Sequence, residues 1–70
     1  MELIYVDSSH ISAIRYIIES GTLEIHFKTM TAYEYYDVPQ HEFDGLLAAE
    51  SKGTYANANI YKVYRQQKIL

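Results

Sequence analysis

The chain of 70 residues contains no cysteine. Disulfides and thiolate metal sites are thereby excluded, which is compatible with a reducing cytoplasm. Glycine is scarce, and the turn residues Gly21 and Gly53 stand alone, so no glycine-rich loop is available to cradle a phosphate. No apolar run approaches the roughly 20 residues of a membrane span. The start, MELIYVDSS, has Glu2 and no basic leader, so it does not read as a signal peptide. Charge is missing by region as well. Residues 31–50 carry Glu34, Asp37, Glu42, Asp44 and Glu50 with no Lys or Arg, whereas residues 51–70 carry Lys52, Lys62, Arg65 and Lys68 with no acid. The formal net charge is −3. Such asymmetry points either to contacts with nucleic acid or another anionic partner, or to an acidic and a basic helix that neutralise each other or just face solvent.

A catalytic constellation is also lacking. His10, His26 and His41 have no metal-ligand spacing, and no HExxH motif accompanies them. Ser8, Ser9 and His10 are neighbours in sequence, which supplies a polar turn rather than a nucleophile, a base and an orienting group. Glu42, Asp44 and Glu50 read as a solvated helix face, not as carboxylates whose pKa values burial has separated. The expectation is therefore a non-enzyme, with no metal and no cofactor.

What is present is an apolar fraction of 49% and eight tyrosines. That describes one globular domain spanning residues 1–70, small enough that a partner or a second copy would add useful contacts. Leu3 to Val6 reads as a short strand or an ordered leading arm. Residues 11–18 are rich in β-branched side chains. Residues 22–29 follow a turn at Gly21 and alternate, with Leu23, Ile25 and Phe27 on one face and Thr22, Glu24, His26 and Lys28 on the other. Residues 32–37 form a third strand, ended by Pro39. Period two sets Tyr33 and Tyr35 on the face toward the helices, and Glu34 and Tyr36 on a wetter face.

A helix over about residues 40–50 follows, with Phe43, Leu46 and Leu47 as its buried stripe. Gly53 reads as a left-handed helix stop. A last helix is expected over about residues 56–66, with Ile60, Val63 and Tyr64 inward. The fold class is α+β, a three-stranded antiparallel meander packed against two C-terminal helices. The expected core is Ile14, Leu23, Ile25, Phe27, Tyr35, Val38, Phe43, Leu46, Leu47, Ile60 and Tyr64.

Several segments together resemble the KTSC domain family. They are Ser8-Ser9-x-Ile11-x-Ala13-Ile14, Thr22-Leu23-Glu24-Ile25-x-Phe27, and Tyr33-x-Tyr35 followed by Asp37-Val38-Pro39. Phe43-x-x-Leu46-Leu47-x-Ala49, Ser51-Lys52-Gly53-Thr54-Tyr55-x-Asn57, Ile60 and Tyr64 complete the set. The family consists of short domains found at the C-terminus of some lysyl-tRNA synthetases and as stand-alone bacterial and phage proteins. This chain departs from its pattern at Met30-Thr31, where the family usually has glycine. It departs again at Ala56, where an aromatic is usual, and at Tyr61-Lys62, where Arg-Gly is common. The resemblance implies the fold and RNA binding.

Tyrosines on a strand offer faces on which unpaired bases stack, and basic side chains nearby would meet phosphates. The candidate binding residues are Tyr33, Tyr35, Tyr36, Lys52, Tyr61, Lys62, Tyr64 and Arg65. RNA or other single-stranded nucleic acid is one class of partner. The other is protein, either a larger target, as for a phage-type inhibitor of a host complex, or a second copy, since tyrosine is enriched at interface centres.

Overall fold

In the computed structural model, which describes residues 2–70, the chain is built outward from two hairpins. β2 (Ile11–Ile17) turns into β3 (Thr22–Phe27) through a loop closed by a hydrogen bond from the Gly21 N–H to the Ile17 carbonyl. Gly21 has φ +67°, a backbone region that glycine occupies without a Cβ penalty. Its own carbonyl accepts from the Val38 N–H, so the turn also anchors the corner after β4. The second hairpin joins β3 to β4 (Ala32–Tyr35) with no glycine, and Met30 itself takes φ +70° there.

Among the described residues five strands form one antiparallel sheet in the order β1-β2-β3-β4-β5. β1 (Ile4–Tyr5) pairs with β2, and β5 (Gln66–Lys68) pairs with β4. Between β4 and β5 the chain crosses one sheet face as α1 (Gln40–Ala48) and α2 (Lys52–Asn59). Cross-strand register sets Ile14, Ile25 and Tyr33 in one row and Tyr16, Leu23 and Tyr35 in the next. Phe43, Leu46, Ala56 and Ile60 from the helical layer close the core over these rows. The Tyr16 ring stacks on Phe43 at 5.0 Å, and its buried hydroxyl donates to the Val38 carbonyl at 2.6 Å.

The antiparallel α+β class and the two helices agree with the sequence reading, but its three strands become five. The strands also end earlier, at Ile17, Phe27 and Tyr35. The helix expected over residues 56–66 instead spans Lys52–Asn59. Ser51 is its N-cap, accepting from the Thr54 N–H, so Gly53 lies in its first turn and does not stop α1. At the other end, the Ile60 and Tyr61 N–H groups both donate to the Ala56 carbonyl, a double closure typical of a helix C-terminus. The chain then leaves in time for residues 66–68 to reach the free edge of β4. Val63, placed inward by a helical stripe, is consequently 60% exposed. Ile11, Tyr16 and Ala56 join the core, whereas Phe27, Leu47 and Tyr64 are half-buried against it.

The sheet face away from the helices is drier than Glu34 alone implies. Thr22 and Glu24 are buried there, as are Ala13 and Ala32. A buried carboxylate needs partners. Glu24 has the Arg15 guanidinium at 3.2 Å and the His26 imidazole on the same oxygen.

Candidate functional site

α1 and α2 pack closely because Gly45 has no side chain. A Cβ there would lie 2.7 Å from Cζ of the Tyr55 ring. Tyr55 passes over Gly45 and donates its hydroxyl to Glu42. That bond, with some loss of water and the nearby Glu42 charge, pushes the Tyr55 phenol up to about 12. Held in this way, α2 turns Gly53, Thr54 and Asn57 toward the end of the sheet, spaced as one helical face.

There they form one wall of a groove of about 500 Å³. Ser9 and His10 from the loop before β2 also line it, and Phe27 and Tyr61 supply aromatic surface. The loop is pinned from both sides. Ser8 Oγ accepts from the Ile11 N–H at 3.3 Å, and the His10 carbonyl accepts from the Lys28 N–H at 2.8 Å. Ser9 Oγ lies 2.8 Å from His10 Nδ1. Ser51 caps α2 and also donates to the Thr54 hydroxyl at 2.8 Å. The N–H groups of Lys52 and Gly53 fall outside the helix's own hydrogen-bond ladder, as the first amides of any helix do.

Among the described residues the groove lining has hydroxyls, an amide, an imidazole and two aromatic rings, but no carboxylate, ammonium or guanidinium. Cations stand immediately beside it in the chain. Lys28 follows Phe27, Lys52 lies between Ser51 and Gly53, and Lys62 follows Tyr61, half of the six Lys and Arg residues. Lys52 Nζ donates to the Ala49 carbonyl at 3.0 Å, which fixes one of these charges at the end of α1. Glu50 is the acid next to the cap; Glu24 and Glu34 belong to the far sheet face.

The residues predicted as binding fall into two groups on opposite sides of the sheet. Tyr33, Tyr35 and Tyr61 join Phe27 in an aromatic cluster on the helical side, with ring centroids 6.0–6.3 Å apart. Tyr35 is only 2% exposed and has no free ring face to offer. Burial, with Tyr61 and Tyr33 beside it, holds its phenol above the ordinary tyrosine range. Tyr33 is half-buried, and of this cluster Phe27 and Tyr61 reach the groove. Tyr64 is half-buried against the core, which raises its phenol as well. Tyr36 belongs to the other face. Its hydroxyl donates to Glu34 at 3.0 Å, and Arg65 lies 5.4 Å over its ring. Arg65 is also paired with Asp37 at 3.6 Å, so Tyr36 and Arg65 form a unit of their own, separate from the groove.

Ser9, His10, Phe27, Ser51, Gly53, Thr54 and Asn57 were not among the residues predicted to bind. A signal for them existed, because Ser9, Phe27, Ser51, Gly53, Thr54 and Asn57 all belong to the segments quoted for the family resemblance. Segments more than 40 residues apart in the chain meet in this groove.

A protein of Tsukamurella paurometabola is 40% identical over 60 residues, covering 86% of this chain and 90% of its own length. The crystal structure of a KTSC domain protein from Yersinia pestis superposes with a TM-score of 0.95 at 30% identity, covering 99% of this chain and 97% of that one. The sequence profile of the KTSC domain matches residues 7–64, from the loop before β2 through Tyr64, and so takes in the whole groove lining. The chain belongs to the KTSC domain family.

Proposed function

We propose that this domain is a non-catalytic binding module for single-stranded nucleic acid, with RNA as its ligand, and that the groove between the β2 loop and α2 is where it binds. The observation that carries this reading is the composition of the groove. Aromatic surface from Phe27 and Tyr61 lies beside hydrogen-bonding side chains, and Lys28, Lys52 and Lys62 are chain neighbours of lining residues. Stacking plus phosphate attraction is how single strands are held with little sequence preference. A binding role without catalysis is supported by the Ser9–His10 contact, which joins exposed neighbours in sequence rather than a buried, oriented pair.

Fluorescence anisotropy with labelled oligoribonucleotides at low salt tests this. Affinity should fall with salt, and Lys28→Gln or Lys62→Gln should each flatten the log–log salt slope by about 0.7, the value of one single-strand phosphate contact. Tyr61→Ala should weaken binding, whereas Tyr36→Phe on the opposite face should leave it unchanged. Absence of binding to RNA and DNA single strands at low salt overturns the proposal.

A second reading is favoured by the sheet edges. β1 and β5 are short edge strands, and Tyr5 is 79% exposed, with Ile69 and Leu70 also uncovered beyond β5. Such edges can pair with another protein or with a second copy of the chain. Light scattering over a range of concentrations tests self-association directly, and a constant monomer mass removes it.

A further inference from the structure

We infer that the groove seats one unstacked nucleobase, with the phosphates kept outside it, and that Gly53 is the point where the base comes closest to the protein backbone. This rests on the nucleic-acid reading above and assigns to the groove a task within it.

The groove's size, about 500 Å³, lies within the range of small-molecule sites. Its chemistry narrows the occupant. With no lysine or arginine in the lining, a phosphate drawn inside would lose water and meet only the partial positive charge of the α2 N-terminus. A nucleobase meets the lining well: its faces suit Phe27 and Tyr61, and its edge carries the donors and acceptors that Thr54, Asn57 and Ser9 complement. The sugar and phosphates then remain outside the groove, and Lys28, Lys52 and Lys62, chain neighbours of lining residues, are the cations proposed to meet them.

Gly53 supplies the second argument. The other two glycines have structural reasons: Gly21 has a left-handed φ, and Gly45 lies under the Tyr55 ring. Gly53 has neither. It lacks a positive φ, and a Cβ built on it meets nothing within 4 Å. Neither backbone conformation nor packing therefore calls for glycine at this first-turn position. The bare backbone leaves the α2 wall open, and the Gly53 N–H lies outside the helical ladder.

The test separates this inference from the reading it rests on. Titrating ¹⁵N-labelled protein with adenosine, guanosine, cytidine and uridine, and separately with inorganic phosphate, should move the Gly53, Thr54 and Asn57 amides with at least one nucleoside and not with phosphate. That nucleoside should compete with a labelled oligoribonucleotide. Gly53→Gln should weaken oligonucleotide binding at least tenfold while leaving the melting temperature no lower than the parent's, because a built Cβ there meets nothing within 4 Å. If oligonucleotides bind but nucleosides leave these amides unmoved and Gly53→Gln binds like the parent, base seating is overturned and the nucleic-acid reading stands. If phosphate alone moves Gly53, the groove is an anion site and the inference is overturned. If no oligonucleotide binds, the nucleic-acid reading itself is overturned.

Discussion

Tyr16→Phe removes one oxygen from the core and leaves the rest of the side chain in place. The ring that stacks on Phe43 at 5.0 Å remains, and so does its burial. What disappears is the donor at 2.6 Å to the Val38 carbonyl, in a residue that is itself 1% exposed. The Val38 N–H stays satisfied by Gly21, but its carbonyl loses this partner where water has little access. Leaving a buried acceptor unpaired costs about 1–3 kcal/mol. A domain of this length has a total stability of about 4–10 kcal/mol, so the loss is a large share of it. Urea unfolding followed by circular dichroism should show a lower midpoint with an unchanged slope. The melting temperature should fall by about 4–8 °C for each kcal/mol lost. A variant within about 0.5 kcal/mol of the parent, the scatter of ordinary surface changes, would refute the idea that Tyr16 holds the corner between β4 and α1. Tyr36→Phe is the matched control. It also loses phenol hydrogen bonds, to Glu34 and Gln67, but in a more exposed setting where water replaces them.

Met30 is 82% exposed with φ +70°, where glycine has no steric penalty, so Met30→Gly should stabilise the domain by about 0.5–1 kcal/mol, read as a raised urea midpoint. Failure to gain stability would mean that the turn's strain is relieved elsewhere. Tyr55 has its phenol pushed up to about 12 in the folded state by its bond to Glu42, above the value near 10 of a free tyrosine. A raised folded value favours the protonated form, so this contribution is intact below pH about 10 and is lost as pH rises toward 12. Stability against pH should therefore decline across that window, and Tyr55→Phe should shallow the decline; an unchanged slope in the variant would reject the assignment.

The central sheet was legible because period two is strict there. Leu23, Ile25 and Phe27 alternate with polar residues, and turn chemistry at Gly21 fixes where the hairpin closes. Pro39 correctly divided β4 from α1. β5 was not legible, since Gln66, Gln67 and Lys68 are all exposed and favour helices on intrinsic preference. They are extended because β4 presents an open edge that they satisfy, a fact held by the whole fold and not by the segment. Gly53 misled for a related reason. After an apolar helix, Lys-Gly reads as a stop, but Ser51 two residues earlier is the stronger signal and starts α2. On the far face, Glu24 looked like a solvent residue because alternation says only which way a side chain points. That Arg15 on the neighbouring strand covers and pairs it is a property of register.

The candidate site shows the same division between local and assembled information. Reading tyrosines as a platform weighted a conspicuous residue type, and the sheet then divided them. Tyr35 went to the core and Tyr36 to the opposite face, because adjacent strand positions cannot share a surface. The groove, by contrast, is made of small polar residues at the ends of elements, none of them conspicuous alone. Ser9 precedes a strand, Phe27 ends one, and Ser51 to Asn57 open a helix. Their juxtaposition depends on Gly45 letting α2 lie close to α1 and on the His10–Lys28 backbone bond drawing the β2 loop to the end of β3. Individually each segment has an ordinary structural explanation, as a turn, a strand end or a cap. Gly53 is the exception, since neither its φ nor its surroundings call for glycine. A residue the fold does not require, in the wall of a groove lined by the family's own segments, is why the proposed site is centred there.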